Sequence, residues 1–570
     1  MTFQSTIRAF QGTLANFHFK DEQRDFPEEF AVKRFLKKFE VPDLKASALR
    51  KQKCWEDWIN SDQSLSRVTT ASFLLVPVLY KARADLHRFR SQIKFNTWDL
   101  PKGSEYFPTA GQNSIESRLN RSRWSCTHDN FERFARFVYS CKAMKRAFRK
   151  RYEQWFSRSS FIESRLYTDK LLYKRFSSIS DNPTWDCFLW KLSQITEFTQ
   201  GSRFTTVPKN NLVDRPINVE PIGNLVVQRQ IGNYIRSELK RLYAVDLDNL
   251  AEKHREMIKS KGVSMIDLKN ASDSITNTLC QFLFQKAFFS ELQNSRSPYV
   301  LGLDQAFHST HKISSMGNGY TFELMTLILT SIVRQFDPNG SVFGDDIIIA
   351  DEHAQDLIAL LEGIGFVVNK EKTFVNSPFR ESCGSNYHEE YGYIESYDFK
   401  YPVTIHDCVV LYNKALRLSR KYPTFEELRL KLRRHIPKVL QGVTEPFFFS
   451  QKIDHVYADD SPLQLSNFFR CSDSGFKPDS KLKLALETLA LKLCYDVKSL
   501  RFVTGFAYCP KLRSPTRRSL ERCHWAKYEM YLHSGMVSKD ILVGGGHWVS
   551  CLYVCIDGAP SRWTENYLRS

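Results

Sequence analysis

Asp267, Asp345 and Asp346 are the residues whose type and spacing most directly suggest chemistry. Asp345 and Asp346 follow Gly344 in the stretch Ser341-Val342-Phe343-Gly344-Asp345-Asp346-Ile347-Ile348-Ile349-Ala350. Apolar, strand-forming runs on either side predict a β-hairpin with both acids at its tip. Adjacent carboxylates cost little only when solvated or bound to cations, and an all-oxygen site of this kind suits Mg²⁺. Taken alone, such a turn is usually just a solvated hairpin. Upstream, Val263-Ser264-Met265-Ile266-Asp267 predicts a short strand ending in an acid, with Asp273 beyond a small polar turn. If strand and hairpin are sheet neighbours, Asp267, Asp345 and Asp346 converge. Three carboxylates neutralise two Mg²⁺ ions and repel one another without them. Such a pair of ions serves in-line phosphoryl transfer, one at the attacking hydroxyl and one at the leaving pyrophosphate.

Other segments supply complementary groups. Ile313-Ser314-Ser315-Met316-Gly317-Asn318-Gly319-Tyr320 precedes an apolar helix over about Thr321 to Phe336. Its glycines allow close backbone approach to a ligand, and Ser315 and Asn318 offer groups that could read a sugar or base. A plain turn before a core helix is the competing reading. In Arg203 to Ile217 three cations, Arg203, Lys209 and Arg215, alternate with strand formers. They could grip a triphosphate, the arginines by a bidentate fork and the lysine as a point charge, or decorate a surface hairpin. Ala354 to Glu362 predicts an amphipathic helix leading to Gly365-Phe366-Val367-Val368-Asn369-Lys370-Glu371-Lys372. Lys370 or Lys372 could protonate pyrophosphate as it leaves, or could end a solvated strand.

The elements that hold these groups sit in a chain of 570 residues, long enough for several subdomains. Lys plus Arg outnumber Asp plus Glu by 81 to 63, for a net charge of +18, and aromatic residues make up 14%. Such a balance favours a polyanionic partner and supplies rings for base stacking. No signal peptide is expected, and Phe73 to Tyr80 is too short, and interrupted by Pro77, to span a bilayer. The 13 cysteines are scattered and odd in number, which predicts reduced thiols. Lys142 to Phe156 predicts a basic, aromatic helix that lies along a phosphate backbone or presents a solvated face. Beyond Tyr401 a mainly helical region is expected, with a capping-box start at Pro423-Thr424-Phe425-Glu426-Glu427. Lys511 to Arg522 forms a second basic cluster. Gly544-Gly545-Gly546 lacks the Gly-Lys-Ser/Thr of a P-loop and predicts a flexible turn.

The order of these segments is their strongest signal: cationic hairpin, strand-end Asp, glycine loop with helix, acid hairpin, helix, lysine strand. It resembles motifs F, A, B, C and D of the template-directed polymerase palm. The stretches TTVPKNNLVDRP, IDLKNASDSIT, SSMGNGYTFEL, FGDD and NKEKTF-VNSPFRESCG resemble the replicase catalytic subunit of levivirus-type positive-strand RNA bacteriophages, over about Arg203 to Gly384. The resemblance implies an α+β right-hand polymerase with a ferredoxin-like βαββαβ palm. Residues 1–260 would form the N-terminal region and fingers, including the hairpin 203–217. The palm would occupy 261–400, with a fingers insertion at about 285–311, and 401–570 would form a mainly helical thumb.

It further implies Asp267, Asp345 and Asp346 as ligands of two Mg²⁺ ions, with Mn²⁺ able to substitute. Asp273 and Asn318 would recognise the ribose 2′-hydroxyl, helped by Ser315. Lys209 and Arg215, with Arg203, would grip the triphosphate, and Lys370 or Lys372 would act as general acid. Phe343 stands where Tyr is common before GDD, and Lys269-Asn270 replace small residues after the first Asp. Expected partners are single-stranded RNA template, product RNA, NTPs, host elongation factors Tu and Ts and ribosomal protein S1, in the cytoplasm of a bacterial host and without a membrane. A reverse transcriptase shares the double Asp and would differ in using dNTPs. An RNA-binding protein that had lost catalysis would lack acids that are all present here. A metal-dependent phosphohydrolase would need gathered ligands, and the 14 histidines show no such spacing.

Overall fold

The computed structural model describes residues 3–435 apart from 21–22, 37–43, 75, 90–92, 94–105, 108–120, 159–168, 210–212, 398, 400 and 403–404, together with 472–473, 500–509 and 547–556. The basic cluster Lys511 to Arg522 and the glycine triplet at 544–546 lie outside the described residues. The chain divides into two units, residues 43–393 and residues 1–42 with 394–570. No described helix is long and apolar enough to cross a membrane.

A four-stranded antiparallel sheet carries the acids of the larger unit. Its spatial order is Val367–Val368, Val263–Lys269, Asp346–Ala350, Ser341–Phe343. The sheet is covered on both faces: Ile266, Leu268, Val342, Ile347 and Ile349 are buried in the main core, and the alternate residues Met265 and Ile348 in a smaller cluster with Ile258. Helix Thr321–Phe336 spans the predicted range. Because its apolar residues run almost all the way round, it is buried on nearly every side, with Leu324, Leu327, Ile328, Leu329 and Ile332 fully covered. Each such side chain contributes roughly 1.5–3 kcal/mol of hydrophobic burial. Its one buried acid, Glu323, is paired with Arg229 at 3.4 Å and Arg236 at 2.8 Å, both on helix Ile222–Tyr243.

The cationic hairpin forms as expected, with Gly201–Pro208 pairing antiparallel to Asp214–Val219. The segment predicted as an insertion completes its sheet. Tyr299–Leu301 pairs in parallel with 201–203, and Phe307–Ser309 follows on the far edge. The basic helix spans Lys142–Arg158 and is a packed element. Met144, Phe148 and Arg151 are buried, with the Arg151 guanidinium 4.7 Å from the Trp124 ring, while Arg146, Arg149 and Lys150 remain exposed.

His254, fully buried, ties helix Leu250–Met257 to the acid sheet: its ring nitrogens lie 2.9 Å from Ser382 Oγ and 2.9 Å from Ser341 Oγ. Burial, aided by Lys253, holds the imidazole down to about 4, against an ordinary 6.5. The unfolded chain therefore binds this proton more tightly. The stabilisation is complete above pH 6.5 and is lost as the pH falls through about 4. Folding stability is expected to drop by about 2 kcal/mol between pH 7.5 and 5 from this group, a slope that denaturant titrations should find missing in His254→Asn.

In the smaller unit, Phe10, Leu14, Val32 and Phe35 share a core with Phe399, Leu411, Tyr412, Phe425 and Leu428. The N-terminal helices Phe3–Ala15 and Phe26–Leu36 therefore pack with helices Ile405–Ser419 and Thr424–Arg433, so residues 1–42 group with the C-terminal region and not with the rest of 1–260. One expectation for this region changes. The capping box does not form: Thr424 is the first helical residue, Pro423 occupies the cap position, and the Thr424 N–H donates to Glu28 Oε1 at 3.0 Å. Beside its helices the C-terminal region also holds strands. Ser472–Asp473, Leu500–Cys509 and His547–Ile556 form an antiparallel sheet, and their runs of Val, Thr, Phe, Tyr and Trp favour strands.

Candidate active site

The two acid-bearing segments meet in the sheet, where Asp267 lies directly across from Asp346 and Phe343 flanks Asp346 on the other side. The hairpin turn is tighter than predicted. Only Gly344 and Asp345 form it, so Asp345 alone stands exposed at the tip and Asp346 is the first residue of its strand. Gly344 supplies the positive φ of 64° that a two-residue hairpin turn needs, and its N–H donates to Thr326 Oγ1 at 3.0 Å. A Cβ there would meet Phe322 Cε2 at 2.6 Å.

Each strand acid is held by one oxygen. Asn369 Nδ2 donates to Asp267 Oδ2 at 2.7 Å, and the Cys383 N–H donates to Asp346 Oδ2 at 3.0 Å. Burial raises the Asp267 carboxyl above the usual range; Lys372 and the Asn369 hydrogen bond oppose this, and the Asp345 charge adds to it. Asp346 is pushed up to about 6 by burial and then by the charge of Asp345, against the Cys383 hydrogen bond. Among the described residues no three His, Cys, Asp or Glu side chains are gathered closely enough, as oriented here, to cage a metal ion. The donor chemistry fits a hard divalent cation all the same. Two carboxylates face each other across paired strands, a third follows on the turn, and their mutual repulsion is what such a cation would relieve.

The two candidate lysines differ in placement. Lys372 Nζ lies 3.9 Å from Asp267 Oδ2 and 3.8 Å from Glu381 Oε1, and is half exposed. Lys370 is exposed in the same turn and makes no ion pair with a described acid. Asn369 governs the difference, because its N–H donates to the Asp267 carbonyl at 2.8 Å and anchors the turn beside the acid.

On the cationic hairpin, Arg203 and Arg215 fall on one face, since Arg215 pairs with Val207 and strand side chains alternate, and Lys209 follows just past the strand end. Lys209 and Arg215 are exposed, whereas Arg203 is half-buried and donates from Nε to the Tyr106 carbonyl at 2.8 Å. The hairpin is joined to the glycine loop by the Asn218 N–H, which donates to the Met316 carbonyl at 2.8 Å. In that loop Ser315 and Asn318 are buried, and Asn318 Oδ1 accepts from the Tyr320 N–H at 3.0 Å. Asn318 Nδ2 is buried with no hydrogen-bond partner.

Asp273 ends the short 3₁₀ turn Ala271–Asp273, and is buried against Trp58 and Lys312. Sequence reading missed Trp58, Lys312, Asn369 and the Cys383 amide. Asn369 and Cys383 stood inside recognised stretches without a role, and Trp58 lies 215 residues from its partner, with no local signal to find it.

The profile of the family described as "RNA replicase, beta-chain" matches residues 172–466, just over half of the 570-residue chain. The chain belongs to this family. Among individual relatives, this RNA replicase beta-chain is 35% identical over 267 residues to the RNA-directed RNA polymerase subunit beta of Escherichia virus Qbeta, covering 44% of this chain and 45% of that protein. It is 38% identical over 204 residues to the corresponding subunit of Enterobacteria phage SP, covering 34% and 35%. The chain thus spans less than half the length of these curated relatives. The solved RNA-dependent RNA polymerase from bacteriophage phi12 aligns with 76% of this chain and 77% of its own, at 12% identity and a TM-score of 0.38. The family assignment rests on the sequence matches.

Proposed function

We propose that the chain is an RNA-directed RNA polymerase that copies a single-stranded RNA phage genome by template-directed nucleotidyl transfer from NTPs, releasing pyrophosphate. The observation that carries this reading is the pairing of Asp267 with Asp346 beside the exposed Asp345. The sheet order, with 263–269 between 367–368 and 346–350, supports a ferredoxin-like βαββαβ palm over 261–400. The segment 285–311 would then be a fingers insertion. Fingers would come from 1–260, less the N-terminal helices that share the core of the C-terminal region, and the thumb from 401–570.

Asp267, Asp345 and Asp346 would hold two Mg²⁺ ions, or Mn²⁺ in their place. Bound there, the ions would supply charge neutralisation at the reacting phosphate and a more acidic attacking 3′-hydroxyl. Lys209 and Arg215 bind the triphosphate from the exposed face of the hairpin, with Arg203 at its base. Asp273 accepts from the ribose 2′-hydroxyl, the unpartnered Asn318 Nδ2 donates to it, and Ser315 lines the same loop. Lys372 is favoured over Lys370 as the group that hands a proton to departing pyrophosphate, because it already stands beside the acids. Partners on this reading are the RNA template and product, NTPs, and host elongation factors Tu and Ts with ribosomal protein S1, in the cytoplasm of a bacterial host.

The test is RNA synthesis by the purified chain with Mg²⁺, a single-stranded RNA template and labelled NTPs or dNTPs, with and without host lysate. Template-dependent product from NTPs is the expected result, and product only with lysate would add the host factors. Product from dNTPs would make the chain a reverse transcriptase. Folded chain that binds RNA and yields no product in any condition would replace the polymerase reading with a binding role.

A further inference from the structure

Asp273 is held from behind by side chains that the proposed reaction does not use. Its carboxylate is 4% exposed, and Oδ1 accepts from Trp58 Nε1 at 3.0 Å and from Lys312 Nζ at 3.2 Å. Lys312, 2% exposed, rests its ammonium 3.8 Å from the centre of the Trp58 ring and 3.7 Å from Asp62 Oδ1. Asp62, 1% exposed, accepts the backbone N–H groups of His311, at 3.1 Å to Oδ2, and of Lys312, at 3.4 Å to Oδ1. Trp58 and Asp62 are one turn apart on helix Leu44–Ser64, so one helix face delivers both.

One buried cation here serves two buried carboxylates. Burying such charges is costly unless the geometry is fixed and every polar atom is engaged. Oδ1 of Asp273 is saturated by two donors. Among the described residues Oδ2 has only the Ser272 hydroxyl at 3.4 Å, and so keeps capacity for a further donor. Asn318 Nδ2, on a residue 8% exposed, is a buried donor lacking an acceptor. A sugar hydroxyl, donor and acceptor at once, has the chemistry that complements such an acceptor and such a donor. A deoxy-sugar would leave both unpaired, the situation in which a site rejects an analogue most strongly.

We propose that Trp58, Lys312 and Asp62 are positioning residues that lock Asp273 by Oδ1, leave Oδ2 to the 2′-hydroxyl, and thereby set the preference for ribonucleotides over deoxyribonucleotides. The proposal rests on the polymerase reading given above. Trp58→Phe in the full chain is the direct test, since it keeps a ring against Lys312 and removes the N–H. With one RNA template, kcat/KM is measured for an NTP and its 2′-deoxy counterpart. The ratio of the two is expected to fall about tenfold, chiefly through a higher KM for the NTP, with the unfolding midpoint nearly unchanged. Trp55→Phe, which alters the indole stacked 5.6 Å from Trp58, should leave the ratio as it is. Asp62→Asn should lower the ratio in the same direction and decides the matter if Trp58→Phe fails to fold. An unchanged ratio, or equal losses for both nucleotides, would overturn the proposal while leaving the polymerase reading intact. A wild-type chain without template-dependent product would instead remove that reading and this inference with it.

Discussion

Asp345→Asn is expected to lower template-directed incorporation by at least about 10³-fold while leaving folding stability within about 0.5 kcal/mol of the parent. The two halves of this expectation have separate causes. Asp345 is exposed on the turn and forms no hydrogen bond or ion pair with a described residue, so an amide of the same shape disturbs no packing. Its charge, by contrast, reaches both neighbouring acids, where it adds to the rise in proton affinity of Asp267 and Asp346. Removing it relieves repulsion among the three acids and removes a third of the negative charge available to cations. Steady-state incorporation beside a denaturant melt separates the two effects. A variant retaining more than about a tenth of the activity would exclude Asp345 as a metal ligand.

Gly317→Ala should be the most damaging single-methyl change in the glycine loop. Gly317 has φ of 112°, a region that L side chains rarely adopt, and its added Cβ would lie 2.1 Å from the Asn218 carbonyl oxygen. That oxygen is backbone, on the hairpin strand whose Asn218 N–H donates to Met316, so it cannot swing aside as a flexible side chain would. Backbone strain alone costs about 1–3 kcal/mol, and relieving the overlap requires the loop to move by an ångström or more. A displacement of that size next to Asn318 is expected to reduce incorporation about 100-fold. Gly363→Ala is the matched control. It has open space around its Cβ and an ordinary φ, and should keep full activity.

Local pattern made some of this site legible and long-range pairing hid the rest. Helix Thr321–Phe336 and the strand from Val263 could be read because their apolar spacing is written in consecutive residues. The acid hairpin was placed correctly in sequence, but its tip was one residue too wide. A two-residue turn needs the positive φ of Gly344 only, which leaves Asp346 free to pair as a strand residue. That Asp267 stands opposite Asp346 depends on which strands become neighbours, and no window of sequence encodes it. The same holds for the indole and the ammonium behind Asp273, brought in from residues 58 and 312. The strands at Leu500–Cys509 and His547–Ile556 were passed over although their β-branched and aromatic runs carry a strand signal.

Asn369 grips Asp267 twice, by its side chain at the carboxylate and by its backbone at the carbonyl, and the same turn carries Lys372. Thr373 adds a third attachment, accepting from the Asp267 N–H at 3.2 Å. The acid and the ammonium therefore ride on one mount. A shift of the 369–373 turn would carry the Asp267 carboxylate and the Lys372 ammonium together and keep their spacing. On the proposed reading, the proton donor and one cation ligand would then share a single support, so a substitution in the turn that slows proton delivery should also weaken cation binding.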